Sequence, residues 1–237
     1  DLSYTAVFSY NPMNPNDPAA NYFDQTNGSL VVDRFEPGHL NDAIHSKLGT
    51  WDNYNSVKSI TVIGRMQSYD FGFSHGFDNC EMIDISRTTG YTEIPDYSFE
   101  ELLSLNKIYF PMNVEKIGTK VFSGCKKLSD IYLYAVAPPQ LSDEAFWGLD
   151  KNVKIHVPSS AVSLYTSSIG WKDFTIVSLD QNEKSITVNL PNEDGKYKNL
   201  TIELQNIHNG QLYKCLVTNR SSYIFYGLMK NTSYDVF

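Results

Sequence analysis

A short apolar phrase recurs five times between Val57 and Pro158: one apolar residue, another three positions on, and a third two positions after that. Its copies are Val57/Ile60/Val62, Cys80/Ile83/Ile85, Leu105/Ile108/Phe110, Leu128/Ile131/Leu133 and Asp150/Val153/Ile155. They begin at residues 57, 80, 105, 128 and 150, so the steps are 23, 25, 23 and 22 residues. The last copy lacks its first apolar residue, although Leu149 stands beside the gap. Self-similarity at a 20–30-residue period restricts a chain to a stacked-coil architecture, because one coil cannot bury its own apolar edge and must lie on its neighbours. Within each copy the last three residues alternate, as in Ile108-Tyr109-Phe110. That is the pattern of a half-buried strand with one side chain outward between two inward ones. The strands are therefore expected to form a parallel sheet of five rungs.

A second phase lies between the strands. Ile94, Ile117 and Leu141 each precede a phenylalanine by five residues, giving Phe99, Phe122 and Phe146. Phe99 and Phe122 in turn lead the first apolar residues of the next copies, Leu105 and Leu128, by six. A ring at constant phase predicts an aromatic column behind the sheet. Met66 and Phe71 could be a degenerate member of the series, but Gly64, Gly72 and Gly76 make that stretch irregular. Pro111 and Pro158 fall at strand ends, where a missing ladder donor costs least. Gly118 is expected at a turn position with positive φ.

The run Leu105–Pro111, then Val114-Glu-Lys-Ile-Gly118, then Val121-Phe-Ser-Gly-Cys125-Lys-Lys-Leu-Ser-Asp-Ile131, resembles the leucine-rich repeats of BspA-like bacterial surface proteins. Val121 stands where that pattern has Ala. The resemblance covers about residues 94–158 and extends back to 57, with the Phe and Gly phases lost in the first two repeats. Val157-Pro158, Tyr165 and Gly170-Trp171-Lys-Asp-Phe174 are similar to the family's terminal pattern, in which a short helix and a Trp plug close the last coil. A ligand platform is the other reading of Trp171. At the other end, Leu30-Val-Val and the four-residue repeat of Leu40, Ile44 and Leu48, stopped by Gly49, predict a strand and helix. Family members open their repeats in this way.

Beyond residue 175 the period disappears. Alternating segments at 185–190, 199–204, 211–217 and 223–226 are separated by turn signals such as Asn192–Gly195 and Asn209-Gly210. They predict a small antiparallel β module. Leu228, Thr232 and Tyr234 resemble the tyrosine corner of fibronectin type III-like sandwiches, with Lys230 where that family has Pro. Upstream, Tyr4 to Tyr10 alternates weakly and Asn11–Pro18 is turn-rich. The expected fold is thus a mixed α/β solenoid of short leucine-rich repeats followed by a small all-β, sandwich-like module. Residues 1–55 would be the N-terminal segment and repeat cap, 56–174 the solenoid with its Trp cap, and 175–237 an incomplete β module.

The chemistry of the chain points away from catalysis. The five histidines, at 39, 45, 75, 156 and 208, fall in no nucleophile, zinc-hydrolase or phosphate-loop signature. Phe71-Gly-Phe-Ser-His-Gly76 is glycine-flanked but follows no strand–helix pattern and reads as a loop. With 27 acidic residues, carboxylate pairs are expected by chance and single none out. Cys80, Cys125 and Cys215 carry no metal-ligand spacing and read as small buried hydrophobes. No metal or cofactor is implied. A formal charge of −8 argues against nucleic acid as partner. No apolar run is long enough to span a bilayer, and no signal peptide opens the chain. An exported protein would therefore be represented by its processed form, and a lipid anchor upstream is compatible with this chain.

What remains is surface. The strand phase turns Ser59, Thr61, Met82, Asp84, Lys107, Tyr109, Asp130, Tyr132, Lys154 and His156 outward, with Tyr134 extending the Tyr132 row. Rungs about 4.8 Å apart make Tyr109 and Tyr132 stacked neighbours. Tyr109, Tyr132, Tyr134, Met82, Asp84, Lys107 and Asp130 are the candidate ligand-binding residues, since tyrosine flanked by charge suits protein or glycan contact. A purely stabilising cross-strand ladder is the competing account. The family resemblance implies a non-enzymatic, extracellular surface protein for adhesion or recognition of a host protein or glycan. A glycan-binding accessory of polysaccharide uptake and a purely structural surface module are the alternatives.

Overall fold

The computed structural model describes residues 21–32, 35–73 and 76–179, together with the backbone of five strands farther on. Residues 20–179 make one unit. Its elements in chain order are β1 (Tyr22–Asp24), β2 (Ser29–Val32), α1 (Leu40–Leu48), α2 (Trp51–Ser56), β3 (Ser59–Arg65), β4 (Met82–Thr89), β5 (Glu93–Ile94), β6 (Lys107–Phe110), β7 (Lys116–Ile117), β8 (Asp130–Leu133), β9 (Gln140–Leu141), β10 (Lys154–Val157), α3 (Val162–Ser167) and β11 (Thr175–Ser178). The main sheet has eight strands in the order β1-β2-β3-β4-β6-β8-β10-β11. All its pairings are parallel except the first, where β1 runs antiparallel to β2. A second, narrow sheet, β5-β7-β9, is parallel as well. The unit is a repeat solenoid of about five turns, with one flanking parallel strand at each end.

Register fixes which side chains face the core. Leu30, Ile60, Ile83, Ile108, Ile131 and Ile155 are mutual neighbours along one inward row, and every one is buried to 1% exposure or less. Isoleucine suits this row because its branched Cβ fills the pleat. The fifth repeat sits two residues later than the sequence phrase predicts. Ile155, not Val153, pairs with Ile131, so the copy reads Asn152/Ile155/Val157. Val153 is nevertheless buried, one residue ahead of its strand.

Behind the sheet stands the aromatic column. Phe99 and Phe122 stack at 5.9 Å, and Phe122 and Phe146 at 6.1 Å. The column begins one ring earlier than predicted and in another phase. Phe73 lies nearly parallel to Phe99 at 5.4 Å, while Phe71 meets it edge-on. The reason is visible in β3 and β4, which run to Arg65 and Thr89 past a register shift near Val62. Their extra length pushes the turn that follows β3 downstream, so Phe73 takes the column position and Met66 fills core beneath the strand ends.

Gly118 was expected in the left-handed region and does not lie there. It is glycine for space: an added Cβ would stand 2.5 Å from Asp96 Oδ1 and 2.7 Å from the Asp96 nitrogen. The left-handed residues are elsewhere in the turn and recur at repeat spacing. Tyr97, Lys120 and Glu144 form one set, and Glu101, Gly124 and Gly148 another, all with φ between 52° and 81°.

Both ends are closed. Leu40, Ile44 and Leu48 of α1 are buried, and Gly49 (φ 67°) ends the helix by donating its N–H to the His45 carbonyl at 2.8 Å. The start of α1 is held by Asp70, 1% exposed, whose carboxylate accepts the N–H groups of Leu40 (2.9 Å), Gly38 (2.8 Å) and Gln67 (2.7 Å). At the other end Trp171 is 1% exposed, lies edge-on to Phe146 and Tyr165, and donates its indole N–H to the Pro139 carbonyl at 2.9 Å. Trp171 is a plug in the last coil and has no surface for a ligand.

The strands past residue 180 belong to another unit. Ile186–Asn189 pairs antiparallel with Ser222–Phe225, and Asn199–Asn206 pairs antiparallel with both Leu212–Thr218 and Tyr234–Val236. Their side-chain packing, the corner residues Leu228 and Thr232, and the Cys215 thiol lie outside the described residues, as do residues 4–18.

A ring in the middle of the column should be worth far more than a surface residue. Phe122→Ala is expected to destabilise the repeat unit by about 3–5 kcal/mol. Gly118→Ala should cost about 1–3 kcal/mol by forcing neighbouring turns apart. Urea unfolding followed by circular dichroism checks both, and a change below about 1 kcal/mol for Phe122→Ala would contradict a single continuous column.

Candidate binding face

The solvent side of the main sheet carries two rows, both set by the register of the strands. One runs Ser59, Met82, Lys107, Asp130, Lys154, and the other Thr61, Asp84, Tyr109, Tyr132, His156. Lys154 is exposed and the rest are half-buried. Of the sequence candidates, Met82, Asp84, Lys107, Tyr109, Asp130 and Tyr132 therefore share this face. Tyr134 does not. It is the first residue past β8 and is 4% exposed.

The face is centred on three stacked rings. Tyr109 and Tyr132 lie 4.2 Å apart with planes 15° apart, and Tyr132 and His156 lie 4.2 Å apart with planes 7° apart. Neighbouring rungs thus bring the rings together along the long direction of the sheet. His156 enters the stack because of the two-residue register difference, which sets it opposite Tyr132. Each such pair adds about 0.5–1.5 kcal/mol beyond area burial.

His156 also closes a polar chain. Its Nε2 lies 2.7 Å from Asp130 Oδ1, and the Ser129 hydroxyl donates to Asp130 Oδ2 at 2.6 Å. Asn106 on the preceding turn donates its side-chain N–H to the Ser129 hydroxyl oxygen at 3.0 Å. Partial burial works to raise the Asp130 carboxyl, but the hydrogen bonds from Ser129 and His156 outweigh it, with help from the charges of His156 and Lys154. The net result holds Asp130 below the ordinary carboxyl value of 3.8. Lys107 and Lys154 are its register neighbours on either side, so the row alternates in sign. At the head of the stack, Asp84 accepts from the Ser86 N–H and hydroxyl and faces Arg87 at 3.6 Å.

The arrangement has little catalytic capacity. In a nucleophilic triad the imidazole stands between hydroxyl and carboxylate. Here Asp130 stands between Ser129 and His156, so the imidazole cannot take the Ser129 proton. Cys80 and Cys125 are buried, and burial pushes both thiols up to about 12, which leaves no thiolate near neutral pH. Cys125 instead donates to the Phe99 carbonyl. Among the described residues, no three His, Cys, Asp or Glu gather into a metal site, and no helix is long and apolar enough to cross a membrane.

With the sheet, the column and the caps in view, the comparison with known families is direct. Residues 73–190 match the model of the BspA type leucine rich repeat region in six copies. The repeat region is of the BspA type. The match begins at Phe73, the first ring of the aromatic column, so the family pattern and the packing agree on where regular repeats start. No curated protein matches the chain.

The His156–Asp130 pair has a pH signature. The folded Asp130 carboxyl keeps its charge to lower pH than an unfolded one. Its stabilising contribution is therefore complete above the ordinary value of 3.8 and is lost as pH falls through the lower folded value. Asp130→Asn should lower the melting temperature relative to the parent protein at pH 6, and the gap should narrow between about pH 4 and pH 2.5. A constant gap across that range, followed by differential scanning fluorimetry, would show that the pair adds nothing linked to the proton.

Proposed function

We propose that this protein is a non-enzymatic recognition protein whose BspA-type repeats bind an extracellular polypeptide on the solvent face of the main sheet. The repeat family, often associated with surface adhesion and protein binding, supports the general class. The observation that favours polypeptide over glycan is how the rings are used. A saccharide needs an open aromatic face on which to lie. In the Tyr109–Tyr132–His156 stack the faces are turned toward one another at 4.2 Å, and what points outward is ring edge. Edges flanked by the alternating charges of Lys107, Asp130 and Lys154 suit the amide, aromatic and charged groups of a protein surface.

A rigid stack is also economical for binding. The rings are held by the sheet before the partner arrives, so little side-chain freedom remains to be lost on association. An extracellular, cell-surface setting is part of this proposal.

The test is biolayer interferometry of the whole chain against purified extracellular-matrix proteins, beside a Tyr109→Ala/Tyr132→Ala variant. At least one matrix protein should bind, and the variant should bind it at least about tenfold more weakly, as expected for loss of a central aromatic pair. Equal binding by a folded variant, or no binding to any matrix protein, would leave the stack as a stabilising ladder and refute the proposal.

A further inference from the structure

The three tryptophans differ in what is done with their rings. Trp171 is buried in the last coil. Trp147 is 53% exposed, but the Lys120 ammonium sits 4.9 Å from its ring centroid. Trp51, at the start of α2, is 73% exposed. Its ring is fixed from behind. Tyr54 lies 5.4 Å away at a tilt of 42° and rests in turn on Phe77. Gly76, with φ 89°, approaches so closely that an added Cβ would stand 3.2 Å from both the Trp51 and the Tyr54 rings. One side of the indole is thus held by Tyr54 and Gly76, and the other is open to water.

The rim of this open face is polar. Asp52 and Asn55 on the same helix are exposed, and Asn55 lies one helical turn from Trp51. Asn79 is exposed too, and is tied to the rim by donating its side-chain N–H to the Asn55 carbonyl at 2.9 Å. A protein hot spot would need apolar neighbours that shut out water around the ring. Here the ring is surrounded by amides and a carboxylate, which hydrogen-bond hydroxyl groups.

We propose that Trp51 and its polar rim form a carbohydrate subsite, separate from the sheet face, that takes a pyranose unit of a polysaccharide. A pyranose matches this surface on both counts. Its ring C–H bonds carry partial positive charge and gather on one face, which is attracted to the electron-rich indole face. Its hydroxyls radiate around the edge, toward Asp52, Asn55 and Asn79. The ring stays upright without the ligand because Gly76 and Tyr54 already hold it, so binding does not have to freeze a loose side chain. The sheet face offers no such surface, since its ring faces are occupied by one another. The proposal therefore stands on its own observation and survives or fails apart from the polypeptide reading.

The test is native affinity electrophoresis of the whole chain in gels cast with mixed-linkage β-glucan, galactomannan or mucin glycan. Four variants run beside the parent: Trp51→Ala, Trp51→Phe, Trp147→Phe and Tyr109→Ala/Tyr132→Ala. The parent, Trp147→Phe and the tyrosine variant are expected to be retarded equally in at least one gel. Trp51→Ala should bind at least about tenfold more weakly, and Trp51→Phe should keep an intermediate retardation. Because Trp51 is mostly exposed, Trp51→Ala should melt within a few degrees of the parent, and that melt is recorded alongside. Retardation in none of the gels, or equal retardation of parent and Trp51→Ala, would overturn the proposal. Retardation lost only in the tyrosine variant would overturn it and return glycan binding to the sheet.

Discussion

Each rung of this solenoid depends on the rung beside it for the burial of its apolar side chains. A strand of four residues with two inward groups has no core of its own. Only when Ile83 lies against Ile108, and Ile108 against Ile131, does the row become dry. The same holds for the rings behind the sheet, where Phe122 touches Phe99, Phe110 and Phe146 but lies far in sequence from all of them except through the repeat. Stability is thus close to a sum of neighbour terms, and the ends, where one neighbour is missing, become the places where special chemistry is needed. α1 and the buried Asp70 carboxylate serve one end, and Trp171 with Tyr165 serves the other. Tyr165 shows how complete that closure is: its hydroxyl donates to the Ala135 carbonyl at 2.9 Å, and burial drives it well above the ordinary phenol value.

Close stacking also explains the backbone. Turns that lie one rung apart leave no slack in the connections, so each turn reverses with residues in the left-handed region. Glu101, Gly124 and Gly148 occupy equivalent places, and glycine appears at two of the three. Tyr97, Lys120 and Glu144 occupy another set with no glycine at all. These side chains accept a conformation costing about 1 kcal/mol or more. Lys120 makes use of it: its ammonium lies 3.2 Å from Glu144 on the adjacent turn and over the Trp147 ring. Gly118 has a different reason for being glycine, since the next turn's Asp96 occupies the space a side chain would need. The sequence shows a glycine in each case and does not distinguish the two causes.

The period, the inward rows and the pairing of Tyr109 with Tyr132 were legible because a strand phase of two and a coil period of 23 are written into every copy. The fifth copy was misplaced for an instructive reason. Asp150/Val153/Ile155 satisfies the apolar phrase, and Val153 is in fact buried, so apolar pattern alone prefers the wrong frame. A better guide was in the chain. Pro111 directly follows β6, and Pro158 directly follows β10. Aligning the prolines puts Val157 opposite Leu133 and His156 opposite Tyr132. Tyr134 occupies the same phase as those two prolines, just beyond the strand, which is why it leaves the tyrosine row and turns inward. The Asp70 cap was not legible, because the groups it binds are brought to it only by the fold, from 30 residues or more away for two of the three.

The same residue type serves opposite purposes according to which part of the ring is left over. An aromatic side chain has two faces and an edge, and each can be satisfied once. In the sheet, register consumes the faces: rungs about 4.8 Å apart leave room for one ring thickness, so Tyr109, Tyr132 and His156 close on one another and offer only edges. At the start of α2 no neighbouring rung exists on the outer side. Tyr54 and Gly76 take up one face of Trp51, and the other stays open. Counting aromatic residues, of which this chain has many, therefore predicts nothing about ligand class. Asking which ring surfaces the fold has already used separates an edge-bearing face suited to polypeptide from an open-faced ring suited to sugar, and it does so from geometry that the repeat period and the cap impose.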